Sequence, residues 1–383
     1  MSVLVINTGS STVKYELVEV ESGERPARGV VERIGEDEGL LTHDDGGGSP
    51  YTRKGRFADH EAALAAVIKV LGDIGPQAVG HRVVHGGTRF RDPVLIDDEV
   101  IAAIEELVPL APLHNPVNLT GIRVTRAAFP GVPQVAVFDT AYHQTLPPSA
   151  YTYAVPGAWG VRRFGFHGTS CAYVARRAAV MLGRDLRRTN LVVLHLGNGA
   201  SATAVAAGES VETSMGLTPM EGLVMGTRSG DVDPALPGYL ARVHGLDAAE
   251  AEDALTYQSG LLALAGSADM RTVRRHAADG DPAALLARQV YCHRIRKYVG
   301  AYYAVLGRVD AIVFTGGVGE HDAEIRAAAL AGLDRLGITV DPARNDSRSA
   351  GERALSPPGA EVAVLVIPTD EEWEIARQAM TFS

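Results

Sequence analysis

One local pattern occurs twice in this chain. Residues 3–20 read VLVINTGSSTVKYELVEV, an apolar run, a turn rich in Asn, Gly and Ser, and a second apolar run. Residues 191–207 read LVVLHLGNGASATAVAA and follow the same plan. Apolar runs on both sides of a Gly-containing turn predict a β-hairpin, and a recurring pattern suggests a duplicated unit. Strand–turn–strand segments are common, so chance recurrence is the alternative interpretation.

Outside the two hairpins, short β-rich runs alternate with helical patterns, which is typical of an α/β protein. A Pro- and Tyr-rich stretch at 147–156 predicts the boundary between two halves. Residues 36–59 are expected to form a surface loop or hairpin. The remaining segments are predicted from apolar periodicity: strands at 78–84, 135–138, 311–314 and 362–367, and helices at 64–71, 101–108, 169–182, 282–306, 322–336 and from Thr369 onward.

Composition limits the kind of protein. The chain has 383 residues, 46% of them hydrophobic, and a formal net charge of −10. This length predicts two or three domains, and the composition excludes collagen-like, coiled-coil and disordered proteins. Two cysteines cannot build a disulfide framework, which favours a reducing, cytoplasmic location. The acidic balance argues against nucleic acid or an anionic membrane as a partner, and we expect neither a signal peptide nor a membrane span.

Three Gly-rich turns follow predicted strands: Asn7–Ser11, Gly197–Ser201 and Gly316–Gly319. Such turns expose backbone N–H groups that can cradle phosphate oxygens, and Lys14 can add a positive charge after the first turn. The third turn precedes a predicted helix, whose N-terminus favours an anion. P-loop, Rossmann and protein-kinase signatures are missing from the sequence. The sequence therefore predicts a nucleotide site built from separate turns.

Two arginines have unusual surroundings. Arg82 interrupts an apolar β run, and because arginine is rarely buried without a partner, it either forms a buried ion pair or lines an anion site. Arg228 lies in the Gly-bounded loop 225–234 with two aspartates. That loop is either closed by its own salt bridges or presents its arginine to a phosphoryl group. His81 and His85 lack the glutamate and the helix of a zinc motif, so we expect no zinc there.

Other polar residues have both a functional and a structural interpretation. Asp139 ends an apolar strand, where it either faces a cleft or forms an Asx turn with Thr140. His167 lies between glycines ahead of a predicted helix, an unusual place for a core histidine. His114 is either functional or a structural cap.

The last predicted helix begins with a candidate capping box. Thr369 and Glu372 have the required spacing, which leaves Glu371 able to reach a cation. The remaining singled-out residues are expected to pack in the core rather than to bind a ligand: Cys171, Cys292, Tyr291, Tyr298, Tyr302 and Tyr303.

Taken together, these segments resemble the acetate kinase family. They occur in the family's order and span nearly the whole chain. The resemblance is carried by Asn7–Lys14, Gly80–Gly87, Leu113–Pro116, Phe138–His143, Gly165–Ser170, His195–Ser201, Met225–Pro234, Gly316–Glu320 and Pro368–Glu372.

This resemblance implies a fold. The family belongs to the sugar-kinase/Hsp70/actin superfamily, so we expect an α/β protein with two duplicated ribonuclease-H-like domains, the actin-like ATPase fold, and an interdomain cleft for ATP. The N-terminal domain is expected to contain residues 1–149 and 368–383, and the C-terminal, nucleotide-binding domain residues 150–367.

The resemblance also implies a reaction, the Mg²⁺-dependent, reversible and direct in-line transfer of the γ-phosphoryl group of ATP to acetate, which gives acetyl phosphate and ADP. The resemblance also allows Mn²⁺ in place of Mg²⁺. One rival is a propionate or butyrate kinase of the same family. A second is an ATP-binding module that transfers no phosphate, which would leave Arg82, Arg228 and His167 without a joint purpose. Members are usually homodimers, so a homodimer is implied.

The resemblance assigns a role to individual residues. The metal would be held by Asn7, Asp139 and Glu371, and the groups around the transferred phosphoryl would be Arg82, Asp139, His167, Asn198 and Arg228. The acetate pocket would be formed by Arg82, Val84, Leu113, His114, Phe166 and Pro219. The nucleotide would be contacted by Lys14, His195, Leu196, Gly197, Asn198, Gly199, Asp269, Met270, Arg271, Gly316, Gly317, Val318, Gly319, Glu320 and His321.

The chain departs from the family pattern at four positions. Thr12 replaces a usual serine and Cys171 a usual histidine, while His321 and Asp370 each replace a usual asparagine. His321 bears on the adenosine contact, and Asp370 can add charge near the metal.

Overall fold

The computed structural model describes residues 1–72, 74–347 and 349–382. The chain divides into two compact units. The first unit contains Met1–Gln144 and the C-terminal segment that starts at Asp370, and the second contains Thr145–Thr369. Each unit is built around one mixed β-sheet. Among the described residues, no helix combines the length and the apolar character that crossing a membrane requires.

The first unit contains eight strands and four α-helices in its described part. The strands are β1 (Ser2–Thr8), β2 (Thr12–Glu19), β3 (Ala27–Glu32), β4 (Gly39–Asp44), β5 (Tyr51–Gly55), β6 (Ala78–Val83), β7 (Val94–Leu95) and β8 (Gln134–Phe138). The helices are α1 (His60–Leu71), α2 (Asp98–Glu106), α3 (Asn115–Ala128) and, from the end of the chain, α14 (Glu371–Ala379).

The second unit contains six strands and ten α-helices in its described part. The strands are β9 (Asn190–Leu196), β10 (Ala200–Ala206), β11 (Glu209–Thr213), β12 (Ala311–Thr315), β13 (Arg353–Ala354) and β14 (Ala363–Val366). The helices are α4 (Pro148–Tyr151), α5 (Gly168–Met181), α6 (Leu236–His244), α7 (Ala248–Tyr257), α8 (Gly260–Ala265), α9 (Met270–Ala278), α10 (Pro282–Leu306), α11 (Gly316–His321), α12 (Ala323–Leu330) and α13 (Pro342–Asn345).

The two sheets share one topology. The first has the strand order β5-β4-β3-β2-β1-β6-β8-β7, and the second β11-β10-β9-β12-β14-β13. In each sheet the first strand of the hairpin is central, with an antiparallel meander on one side. Two parallel strands lie on the other side, β6 and β8 in the first sheet and β12 and β14 in the second. The repeated strand order confirms the predicted duplicated α/β fold.

The C-terminal helix α14 completes the core of the first unit. Ile375, Ala376 and Ala379 pack with Val3 and Val135 in one buried apolar cluster. Residue 80 on β6 has to be glycine for this contact, because a Cβ there would lie 2.7 Å from Ile375. Burial of this apolar face explains why the end of the chain returns to the first unit.

The structure decides one open local prediction and contradicts two others. The segment 36–59 is a hairpin, β4 and β5, as one of the two expectations had it. The prediction of a third Gly-rich turn at Gly316–Gly319 is wrong, because Gly316–His321 forms the short helix α11 directly after β12. The helix predicted for 322–336 ends at Leu330, before Gly332 with its positive φ of 79°, since glycine readily leaves the right-handed helical conformation there.

Candidate active site

In the first unit, four polar side chains gather where three neighbouring strands end. Asn7 lies near the end of β1, Arg82 near the end of β6, and Asp139 directly follows β8. The three strands are parallel neighbours, so their carboxyl ends meet at one edge of the sheet. Glu371, the first residue of α14, joins them. We call Asn7, Arg82, Asp139 and Glu371 the oxygen cluster.

Arg82 is the centre of the oxygen cluster. Its guanidinium donates to both carboxylate oxygens of Asp139, at 3.1 and 2.5 Å, and to Asn7 Oδ1 at 3.1 Å. Glu371 Oε2 lies 4.0 Å from Arg82 Nε. Burial alone would lower the pKa of Arg82, but Asp139 and Glu371 outweigh it and raise the pKa. The buried ion pair expected for Arg82 is therefore present, and the carboxylate of Asp139 faces the cluster.

The oxygen cluster fits a hard divalent cation by its donor chemistry. Two carboxylates and one amide oxygen already converge on a cationic group, the guanidinium. Mg²⁺ prefers oxygen ligands, keeps several waters and commonly takes only one or two carboxylates. Among the described residues, no group of three or more His, Cys, Asp and Glu side chains could hold a metal by itself. Burial raises the pKa of Glu371, with Arg82 opposing it, and a nearby cation would stabilise its charged form.

The other first-unit candidates lie on the elements around the cluster. Lys14 is exposed and pairs across the hairpin with Asn7. Val84 follows β6 and is buried, whereas Leu113 is 56% exposed. His114 lies at the N-cap position of α3. His81 bonds to Gln134 within the core, and burial lowers its pKa to about 4.

In the second unit, two strand ends lie side by side. β9 and β12 are parallel, and His195 is in register with Thr315. The turn after β9 closes through a hydrogen bond from Gly197 N to Gly199 O at 2.9 Å. Gly316, which opens α11, has a φ of 75°, and a Cβ there would lie 2.9 Å from the backbone of Leu196. Only glycine lets α11 approach the end of β9 this closely.

Two imidazoles stack at the end of β9. The ring centroids of His167 and His195 are 4.1 Å apart, with 24° between the ring planes. His167 precedes α5 with a φ of 59°, a conformation that costs energy for a residue other than glycine and is frequent at functional sites. Its Nδ1 is bonded to Ser201 Oγ at 3.0 Å. The structure thus supports the sequence argument that His167 is not an ordinary core histidine.

Arg228 does not close its own loop with a salt bridge. Asp231 pairs with Arg294 of α10 at 3.3 Å and accepts a hydrogen bond from Tyr298. Arg228 donates to the backbone oxygen of Pro219 at 2.9 Å, and within the described parts of the chain no carboxylate lies within 4 Å of its guanidinium. Burial lowers the pKa of Arg228. The alternative of a self-satisfied loop is wrong for Arg228, and a half-buried guanidinium without a carboxylate is suited to an anionic ligand.

Glycines bring the second-unit groups together. A Cβ on Gly199 would lie 3.6 Å from both Arg228 Nη1 and His167 Nε2, so both side chains lie beside this turn. A Cβ on Gly226 would overlap Asn198 Oδ1. The small residue at 226 therefore decides where the Asn198 side chain lies.

A cavity of about 620 Å³ opens between the β9 turn, α9, α10 and α11. This volume is in the ordinary range for a small-molecule site. Eight residues predicted to contact a nucleotide line it: Gly197, Asn198, Asp269, Met270, Arg271, Gly317, Val318 and His321. His321, which replaces the usual asparagine, is largely exposed at the rim of this cavity. The larger side chain therefore does not close the cavity.

The cavity is also lined by residues that the sequence did not indicate. Arg274 and Asp322 form an ion pair at 3.5 Å, and Tyr291 presents a buried hydroxyl for which no hydrogen-bond partner exists among the described residues. Leu261 and Ala268 complete the set. No local signal marks these residues; Tyr291, for example, lies on a helix whose apolar spacing predicts ordinary packing.

Some predicted residues support the turns without lining the cavity. Glu320 accepts a hydrogen bond from Gly316 N at 2.9 Å and thereby closes the first turn of α11. Phe166 is 3% exposed, and Pro219 lies against Arg228 through its carbonyl. The other second-unit residues of this kind are His195, Leu196, Gly199, Gly316 and Gly319. Cys171 and Cys292 are buried, as predicted.

The sequence matches a family model. Residues 2–377 match the model described as the acetokinase family. The protein named acetate kinase in Streptomyces coelicolor is 56% identical over 388 residues, which cover 98% of this chain and 95% of that relative.

Two solved structures are similar over their whole length. An acetate kinase of Porphyromonas gingivalis superposes with a TM-score of 0.94 at 43% identity, covering 99% of both chains. A propionate kinase of Francisella tularensis superposes with a TM-score of 0.93 at 38% identity, again covering 99% of both chains.

Proposed function

The chain belongs to the acetokinase family, and from this premise we propose that it is an acetate kinase, which transfers the γ-phosphoryl group of ATP reversibly to acetate. The observation that carries the proposal is the similarity to acetate kinases along nearly the whole chain. The geometry of both units supports it, because each places oxyanion-binding or cation-binding groups at the carboxyl ends of its parallel strands.

The nucleophile of this reaction requires no general base. A small carboxylic acid has a pKa near that of a glutamate side chain, about 4.3, and is ionised at neutral pH. One acetate oxygen forms a bond to the γ-phosphorus while the bond from that phosphorus to the bridging oxygen of ADP breaks. We therefore assign Asp139 to binding and positioning, in agreement with its bidentate bond to Arg82.

The difficulty of the reaction is the approach of two anions. We assign Arg228 to neutralising the charge of the phosphoryl group. Its guanidinium is half-buried and lacks a carboxylate partner among the described residues. His167 and Asn198 can donate hydrogen bonds to the phosphoryl group. Arg82 can hold the acetate carboxylate with its planar fork of donors. In other phosphotransferases, arginines in this role contribute about 10³–10⁵ in rate.

We assign the nucleotide to the cavity of the second unit. Its lining combines backbone amides of the Gly197 and Gly317 segments with apolar surface from Leu261 and Met270. Lys14 is proposed to contact a phosphate. Asn7, Asp139 and Glu371 are proposed to hold Mg²⁺, which Mn²⁺ can replace. When bound, the cation neutralises phosphate charge and orients the oxygens of ATP. Asp370 caps α14 and pairs with Arg25 at 2.7 Å, so its charge is partly compensated.

Acyl phosphate formation tests the activity directly. The protein is incubated with ATP, Mg²⁺ and acetate, propionate or butyrate, and the acyl phosphate is trapped as a hydroxamate. We expect the highest kcat/KM with acetate, because the relatives at 54–56% identity are acetate kinases, whereas the propionate kinase is less similar. A preference for propionate or butyrate would contradict the choice of substrate. ATP binding without acyl phosphate from any acid would contradict the transfer itself.

We also propose a cytoplasmic homodimer. The dimer is supported by the family resemblance, and the location by two buried cysteines without a disulfide, as expected in a reducing compartment. Light scattering coupled to size-exclusion chromatography tests the dimer, for which a mass of twice 40.4 kDa is expected.

A further inference from the structure

Thr369 has a different role from the one its sequence context predicts. The structure shows that Asp370 caps α14, because its Oδ1 accepts a hydrogen bond from Trp373 N at 2.9 Å. The predicted capping box of Thr369 and Glu372 is therefore wrong. The Thr369 hydroxyl instead donates to Ser170 Oγ at 2.8 Å. Thr369 is the last residue of the second unit, and its contact with Ser170 lies within that unit.

Ser170 also forms a hydrogen bond with an imidazole. It is fully buried on the first turn of α5, and its Oγ lies 2.9 Å from His195 Nδ1. A serine hydroxyl has one hydrogen to donate. Because Ser170 accepts from Thr369, it keeps its own hydrogen to donate, and Nδ1 of His195 is the acceptor within hydrogen-bond distance. A neutral imidazole that accepts at Nδ1 carries its proton on Nε2.

His195 in turn stacks on His167, whose Nδ1 is bonded to Ser201 Oγ at 3.0 Å. Each ring of the pair thus has its Nδ1 bound by a serine. This arrangement sets the plane of both rings.

The backbone of Thr369 reaches the other strand end. Its N–H lies 3.4 Å from Glu320 Oε1, the same oxygen that accepts from Gly316 N at 2.9 Å. The hydroxyl of Thr369 therefore supports the end of β9 through Ser170, and its amide supports the start of α11 through Glu320. Thr369 thus contacts both Ser170, which supports the end of β9, and Glu320, which supports the start of α11. These are the two segments to which we assign the nucleotide.

We propose that Thr369 and Ser170 are positioning residues, which hold His195 as the Nε2–H tautomer and align the stacked imidazoles with the transferred phosphoryl group. The inference rests on the proposed phosphotransferase function and deepens it. Neither residue is required to touch the substrate. Their effect on rate comes from geometry, since misplacing a catalytic group by about 1 Å can cost about 10²-fold in rate.

The first experiment removes the hydroxyls one at a time. Thr369→Val and Ser170→Ala are expected to lower kcat about 10- to 100-fold with the KM for ATP changed less than about threefold. Thr369→Ser keeps the hydroxyl and should retain most of the activity. The matched control is Thr203→Val, which removes another buried hydroxyl of the same unit, bonded to Thr213 at 3.0 Å, and should leave kcat unchanged. Urea unfolding checks that each variant is folded.

The second experiment reads the tautomer. Long-range ¹H–¹⁵N spectra of histidine-labelled enzyme, with His195 assigned from a His195→Gln sample, are expected to show the proton on Nε2 in the wild type and a mixture in Ser170→Ala. Wild-type kcat in folded Thr369→Val, or an equal loss in Thr369→Ser, would overturn the inference. So would a His195 tautomer that does not change in Ser170→Ala. If the wild type itself forms no acyl phosphate, the proposed function fails instead.

Discussion

Methionine in place of Arg82 and of Arg228 should have different effects on the free energy of unfolding, although both variants should be nearly inactive. The two arginines are bonded in opposite ways. Arg82 holds both oxygens of Asp139, which is 2% exposed. Arg228 has a backbone carbonyl and a thioether as neighbours. Methionine preserves most of the apolar stem in both cases, so the difference between the variants reports on charge.

The magnitude follows from these contacts. Removing one member of a buried ion pair leaves the other charge buried without compensation, which typically costs about 3–5 kcal/mol; we expect this for Arg82→Met. Arg228→Met loses one hydrogen bond, worth about 0.5–1.5 kcal/mol, and removes a guanidinium whose burial already lowers its pKa. These two effects oppose each other, so the free energy of unfolding should change by less than about 1 kcal/mol.

The assay is urea unfolding at pH 7, followed by circular dichroism, with kcat measured on the same samples. Because two units can unfold separately, each transition is fitted by itself. Arg25→Met is the control in the first unit, since Arg25 pairs with the more exposed carboxylates of Glu16 and Asp370 and should cost at most about 1 kcal/mol. Equal destabilisation by Arg82→Met and Arg228→Met would refute the reasoning, and so would an Arg82→Met protein as stable as the wild type.

Three further predictions concern single contacts. Gly226→Ala should lower kcat/KM for ATP at least about tenfold by displacing Asn198, whereas Gly300→Ala, with open space around its Cβ position, should match the wild type; identical kinetics for both would disprove the contact. Asp370→Ala should lower the free energy of unfolding by about 1–2 kcal/mol through loss of the α14 cap, measured in urea, and an unchanged midpoint would exclude that cap. Phe166→Ala should raise kcat/KM for propionate relative to acetate about tenfold or more in the hydroxamate assay, and an unaltered ratio would remove Phe166 from the acyl pocket.

Local sequence patterns predicted the two hairpins, the four parallel strands β6, β8, β12 and β14, six of the fourteen α-helices among the described residues, and the duplicated plan. The hairpins β1–β2 and β9–β10 were predictable because apolar runs and a Gly-containing turn between them lie within 20 consecutive residues. The long helix α10 matches its predicted bounds. Its ends are local as well: Asp281 caps it, Pro282 occupies its first turn, and Gly307 with a φ of 67° ends it. Such features depend on neighbours in the chain, which a single sequence displays.

The candidate site was only partly predictable, because its partners come from distant parts of the chain. In the sequence, Arg228 and Asp231 are close enough to suggest a local ion pair. In the structure, Asp231 instead pairs with Arg294 and accepts a hydrogen bond from Tyr298, both of α10. Tyr291 shares the apolar spacing of its helix but lines the cavity.

The choice between Thr369 and Asp370 as the cap of α14 shows the same limit at one residue. Both types can accept a hydrogen bond from a helix N-terminus, so the local sequence offers two nearly equivalent solutions. The tertiary structure decides between them, since it places Ser170 beside the hydroxyl of Thr369 and Arg25 beside the carboxylate of Asp370. Local periodicity thus predicts the central strands and part of the helices, whereas long-range packing decides which of several equivalent polar groups each side chain bonds.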